Sequence, residues 1–122
     1  MVTQKKTLVL GASLKEERYS NFVIKRLREK SIPTVAFGLR KGTVVDVVID
    51  TEKKAYKKID TITLYLNAKR QVAFYDYILG LQPKRVIFNP GTENTDFYNL
   101  LKKKNIEVEN ACTLVLLSTN QY

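Results

Sequence analysis

Histidine is absent from this chain and cysteine occurs once. The first absence excludes Ser-His-Asp and Cys-His nucleophile arrangements, the usual general base at neutral pH, and His-containing zinc or iron sites. The second excludes an internal disulfide framework, which points to a cytoplasmic protein. No apolar run approaches the roughly 18 residues of a membrane span, and the start of the chain lacks the charged-then-apolar pattern of a leader. Acidic residues are in the minority, 12 against 21 basic ones, for a formal charge of +9. A surplus of that size suits a polyanion: nucleic acid, an anionic membrane, or a small ligand with several phosphates. The basic residues are scattered in short groups rather than gathered in one stripe, so a lysine-rich solvated surface is the plain alternative.

What is present is an alternation of strand and helix patterns over 122 residues, 44% of them hydrophobic. That length and composition fit one domain, residues 1–122, with its own core. Thr7–Leu10 reads as a buried strand and Ser13–Ser20 as a polar loop. Ser20 is then the expected N-cap of a helix from Asn21 to about Lys30, with Val23, Ile24 and Leu27 on one face. Thr34–Phe37 is a second strand, and Gly38 and Gly42 bracket a loop with Arg40 and Lys41. Val44–Ile49 reads as one short edge strand, Thr51–Lys58 stays ambiguous between turn and loop, and Thr61–Leu66 is the next strand. A helix from Lys69 or Arg70 to Leu81 carries Val72, Phe74, Ile78 and Leu81 as its apolar positions. Arg85–Asn89 is a strand, Pro90-Gly91 a turn, and Asn94 the expected cap of a helix through Lys104. Ile106–Val108 and Thr113–Leu117 read as the last strands. The alternation predicts an α/β fold: a three-layer, Rossmann-like, doubly wound and mostly parallel sheet. Right-handed crossovers then bring the turns at Gly11–Ser20, Gly38–Lys41, Leu66–Lys69 and Asn89–Asn94 to one sheet edge.

Two of those turns carry chemistry. In Leu8-Val9-Leu10-Gly11-Ala12-Ser13, followed by Arg18-Tyr19-Ser20, a strand leads through small residues into a helix. Unpaired backbone N–H groups and the positive end of the helix dipole converge there, which suits a phosphate. Ser13, Arg18 and Ser20 add two hydroxyls and a guanidinium. The turn is not the dinucleotide fingerprint G-x-G-x-x-G, and Phe37-Gly38 stands where an acidic residue would hold a ribose diol. NAD is therefore disfavoured. The second turn, Asn89-Pro90-Gly91-Thr92-Glu93-Asn94, offers a close backbone approach at Gly91 and polar side chains before a helix. Glu93 would repel a phosphate and is expected to meet an amide, a hydroxyl or a backbone N–H. Helix capping alone is the plain reading of this segment. Cys112 reads as a small buried thiol, and Tyr65, Tyr75 and Tyr77 as core or rim aromatics.

Taken together and in order, Val9–Ser13, Arg18-Tyr19-Ser20, Asn89–Asn94 and Ala111-Cys112-Thr113 resemble the small, stand-alone coenzyme A-binding domain proteins. These are related to the CoA-binding domain of the succinyl-CoA synthetase α subunit. The resemblance spans nearly the whole chain. It implies a Rossmann-like fold holding CoA across the strand-end edge, with the pyrophosphate at Gly11, Ala12 and Ser13 helped by Arg18 and Ser20. It further implies that Phe37, Gly38, Leu39 and Arg40 border the adenosine, and that Leu66, Asn67 and Asn89–Asn94 line the pantetheine. Departures are visible: Tyr19 stands where the family has Pro, Ala36-Phe37-Gly38 replaces Val-Asn-Pro, and Leu66-Asn67-Ala68 replaces an Arg-containing turn.

The reading is a non-catalytic binder of CoA or acyl-CoA whose candidate contacts are Gly11, Ala12, Ser13, Arg18, Tyr19, Ser20, Phe37, Gly38, Arg40, Lys41, Leu66, Asn67, Asn89, Pro90, Gly91, Thr92, Glu93 and Asn94. Arg40 or Lys41 would meet the 3′-phosphate. Two alternatives stand beside it: a CoA-linked acyl or redox enzyme using Cys112 or Glu93, and a basic nucleic-acid-binding module. Scattered lysines and the lack of an RNA or DNA motif disfavour the last. No metal is implied, no membrane partner is expected, and monomer and homodimer both stay open.

Overall fold

The structure is a computed structural model that describes residues 5–122. Strand β1 (Thr7–Ala12) lies at the centre because Leu8, Val9 and Leu10 are apolar on both faces and fully buried. A strand buried on both sides must be flanked by strands and covered by helices. β1 pairs in parallel with β2 (Thr34–Gly38) on one side and with β5 (Thr61–Leu64) on the other. Beyond β2 lie β4 (Val47–Asp50) and the antiparallel edge strand β3 (Gly42–Val44); beyond β5 lie β6 (Arg85–Phe88) and β7 (Glu107–Asn110). The sheet order is β3-β4-β2-β1-β5-β6-β7. Strand order therefore reverses at β1, which makes the carboxyl end of β1 the topological switch point where a crevice opens.

Alternation along the strands sorts the two cores. Val9 and Ala36 face α1 (Tyr19–Glu29), whose Val23, Ile24 and Leu27 are buried against them, and α5 (Thr113–Ser118) joins through Leu117. Leu8, Leu10, Ile62, Leu64, Val86 and Phe88 face the other way, onto α3 (Tyr75–Leu81) and α4 (Thr95–Lys103) through Ile78, Phe97 and Leu101. Each such side chain contributes about 1.5–3 kcal/mol by leaving water. The result is the three-layer, mostly parallel α/β sheet that the sequence predicts.

Five local expectations are corrected. Val44–Ile49 is a hairpin rather than one strand: β3 and β4 are joined at Val45-Asp46, with Val45 at φ 60°. Thr113–Leu117 is a helix, α5, and the last strand is Glu107–Asn110. The apolar run of four, Leu114–Leu117, fits either structure by pattern, and here it must cross back over the sheet to cover it. Ser20 is not a cap; α1 starts earlier, Arg18 is its N-cap residue, and Ser20 is buried in the first turn. The helix expected from Lys69 to Leu81 is broken into α2 (Ala68–Gln71), a 3-10 turn (Val72–Phe74) and α3. That break turns Val72 outward, to 60% exposure, instead of into the core. Strand β5 ends at Leu64, so Tyr65 and Leu66 begin the following turn.

Candidate anion and cofactor site at the carboxyl edge

The four strand-to-helix and strand-to-strand turns named above do meet at one edge, the carboxyl ends of β1, β2, β5 and β6. Gly11 sits at φ 95°, where the pairing of β1 with β2 slips between Leu10 and Ala12. A Cβ there would lie 2.9 Å from the carbonyl carbon of Tyr65. Glycine is thus required twice, by its dihedral and by the close approach of the turn that follows β5. Gly38 is required by space alone, since its Cβ would meet the Ala12 carbonyl oxygen at 2.2 Å. Tight backbone packing at Gly11–Ala12–Gly38 narrows the switch point and directs the chain after Ser13 outward.

The loop Ser13–Arg18 is exposed apart from Ser13, which is half-buried. It turns back on itself, with Lys15 N–H donating to Ser13 Oγ at 3.1 Å and Arg18 N–H to Lys15 O at 3.1 Å. Its Leu14 side chain rests over Gly42 in the edge hairpin. Helix α1 then begins without a side-chain cap and without an acidic residue in its first turn. Asn21 N–H donates to Arg18 O at 3.0 Å, while no capping side chain reaches the N–H groups of Tyr19 and Ser20. Arg18 and Tyr19, the latter 71% exposed, flank them. None of the five ion pairs among the described residues uses Arg18, Arg40 or Lys41. Lys41 faces Asp50, whose carboxyl its charge helps to ionise. Arg40 is exposed and is left as the freer cation of that loop.

The β6–α4 turn is built differently. Asn89 is buried; its Nδ2 donates to Thr63 Oγ1 at 2.7 Å and to Leu64 O at 2.9 Å, and its Oδ1 accepts from Thr113 N–H at 2.9 Å. Thr92 Oγ1 donates back to Asn89 O. Asn94 caps α4 by accepting from Phe97 N–H at 3.1 Å while its Nδ2 donates to Gln71 Oε1 and to Tyr75 Oη. Glu93 meets a backbone N–H, that of Gly91, at 2.9 Å. Pro90 and Gly91 remain exposed, and a Cβ at Gly91 would meet nothing within 4 Å. Backbone at Pro90-Gly91, rather than the side chains of Asn89, Thr92 and Asn94, is what this turn presents to solvent.

Leu66 is buried, and Asn67 caps α2 by accepting from Arg70 N–H at 2.9 Å. Phe37 is half-buried and meets Phe74 edge-on at 5.3 Å. Cys112 is half-buried at the start of α5, beside Tyr65. Burial pushes the Tyr65 hydroxyl well above the ordinary tyrosine range, so it stays neutral. Asn21 and Gln71 were missed by reasoning on motifs alone. Gln71 is fully buried, and its Nε2 donates to Leu66 O and Thr92 O at 2.8 and 2.7 Å, tying two turns of the edge together. Its polar identity inside an otherwise helical run was the available signal.

A shallow concavity of about 450 Å³ lies at the opposite, amino edge, lined among others by Lys6, Arg28, Thr34 and Val47. Its Arg28 and Asp46 already satisfy each other through two hydrogen bonds of 2.9 and 3.0 Å. The carboxyl edge is the one with unspent donors.

A Rossmann-like sheet whose switch point joins a glycine turn, an uncapped helix and an arginine outside the ion pairs is an arrangement on which proteins commonly hold phosphate-bearing ligands. Residues 5–118 match the CoA binding domain family, and the chain belongs to it. A crystal structure of an uncharacterized protein is similar over 99% of this chain and 100% of its own, at 41% identity and a TM-score of 0.95. A Thermus thermophilus protein (19% identity, 98% of this chain, 91% of its own, TM-score 0.85) shares the fold. So does a hypothetical protein from Pyrococcus horikoshii OT3 (23% identity, 95% and 83%, TM-score 0.84). No curated protein matches the sequence. Among the described residues, no helix is long and apolar enough to cross a membrane.

Proposed function

We propose that this chain is a single cytoplasmic domain that binds coenzyme A or an acyl-CoA without carrying out chemistry on it. The observation that carries the reading is the N-terminus of α1: eleven residues of helix, uncapped, free of acid in its first turn, and aimed at the Gly11–Ser13 turn. A pyrophosphate at Gly11, Ala12 and Ser13 would receive the leading N–H groups and the helix dipole, with Arg18 and the Ser20 first turn beside it. Phe37 and the exposed Tyr19 ring would offer apolar surface to the adenosine, with the buried Gly38 setting the path of the chain beneath them. Arg40 is the better partner than Lys41 for the 3′-phosphate, because Lys41 already faces Asp50. The pantetheine arm would run toward Leu66-Asn67 and along the exposed backbone of Pro90-Gly91. Asn89, Thr92, Glu93 and Asn94 then hold that wall in place from behind, through the hydrogen bonds described.

Thermal unfolding with CoA, dephospho-CoA, acetyl-CoA and NAD tests this. A ligand at about 100 times its dissociation constant adds about 2.7 kcal/mol of stability, a visible rise in Tm. CoA should raise Tm more than dephospho-CoA, and Arg40→Ala should erase that difference. No rise with any of the four overturns the reading.

A further inference from the structure

The first turn of α1 holds a buried polar side chain that the reading so far leaves without a part. Asn21 is 2% exposed. Its Nδ2 donates to the Ser13 carbonyl at 3.0 Å, while no protein donor reaches its buried Oδ1. The assignment of oxygen and nitrogen follows from the partner, since a carbonyl accepts only from the NH2 side. A buried, unpaired amide oxygen is costly, on the order of 1–3 kcal/mol, so it is retained at a place where something else is gained. What it sits beside is the turn between the last residue of β1 and the uncapped helix. A carbonyl oxygen left free to swing at Ser13 would present a negative dipole to a phosphate in that turn.

We propose that Asn21 is the positioning residue of the anion turn. Its amide draws the Ser13 carbonyl against the helix, so that the turn presents donors rather than acceptors to the ligand. This rests on the CoA reading and adds to it the device that sets the turn before ligand arrives.

Two substitutions separate positioning from mere structural support. Asn21→Asp keeps shape and Oδ1 but, when ionised, has no hydrogen to give Ser13; once protonated it regains one. Burial raises such a carboxyl, so mild acid is enough to protonate it. CoA and dephospho-CoA affinities are measured by calorimetry for wild type and variant at about pH 8 and about pH 5.5, each variant value divided by the wild-type value at that pH. The expected result is a loss of roughly tenfold or more for both ligands alike at the higher pH, with recovery at the lower. Asn21→Leu removes both the donor and the unpaired oxygen; it should keep or raise Tm and still bind CoA weakly. Wild-type-like CoA affinity in either folded variant overturns the proposal, as does a loss in Asn21→Asp that acid does not reverse. Wild type that binds neither ligand overturns the CoA reading itself, and this inference with it.

Discussion

Two turns of this molecule follow a strand, precede a helix and open onto the same edge, yet they use their polar groups in opposite ways. The β6–α4 turn spends nearly everything internally: Asn89 makes three buried hydrogen bonds, Asn94 caps α4, and Glu93 returns to Gly91 N–H. The β1–α1 turn spends little: α1 is uncapped, Arg18 is unpaired among the ion pairs described, and Asn21 keeps a buried oxygen free. The first is built as a wall, and the second keeps polar groups in hand for the ligand proposed above. Polarity alone does not mark a binding residue; what marks it is polarity that the protein has not already satisfied.

The comparison breaks most readily at Asn89. Asn89→Ala should cost about 3 kcal/mol of stability, because it orphans Thr113 N–H and Leu64 O in a buried site, and chemical denaturation reads this directly. CoA affinity measured well below Tm should change far less than stability does. Arg18→Ala is the mirror image: affinity falls roughly tenfold or more, equivalent to about 1.5–3 kcal/mol, while Tm of the free protein stays put. A smaller contrast lies in the two left-handed glycines. Gly11→Ala meets Tyr65 backbone and should destabilise by about 3 kcal/mol, whereas Gly91→Ala carries only the dihedral strain, about 1 kcal/mol. The smallest effect is at neither turn. Burial pushes the Asp50 carboxyl up, but hydrogen bonds from Tyr56 and Lys54 outweigh this and hold it below the ordinary carboxylate range. Its contribution is therefore fully present above the unfolded value and is lost as pH falls through the lower folded one. Asp50→Asn should lower the neutral plateau slightly and flatten the acid limb, while stability at the acid end stays nearly unchanged.

Much of this was legible from the residues. β1, β2, β5 and β6 announce themselves by β-branched and apolar runs closed by glycine, proline or asparagine, and Asn94 caps α4 as its position foretells. The hairpin at Val45-Asp46 was hidden because it lacks the Asn-Gly or Gly-Gly signature, and a β-branched residue takes the left-handed position. α5 was hidden because four consecutive apolar residues, Leu114–Leu117, carry no period. At the candidate site, residue types brought the turns to one edge but could not tell Asn89 from Asn21. Only the hydrogen-bond partners do that, and those come from β5, α5 and the Ser13 backbone, far away or unremarkable in sequence.

At the amino edge, away from all of these turns, Lys5 Nζ donates to Tyr122 O at 2.7 Å, and the Thr7 and Tyr122 hydroxyls are hydrogen-bonded. The Arg85 guanidinium lies 4.6 Å from the centre of the same ring. Positions 117 apart along the chain are thus neighbours in space. The described residues run topologically as a near-closed loop: a short linker from Tyr122 to Lys5, with a new opening in the exposed segment around Glu52, would leave every described strand pairing as it is. Such a circular permutant moves both chain ends to a solvent-facing connection between β4 and β5, and frees the amino edge for attachment to a surface or a reporter.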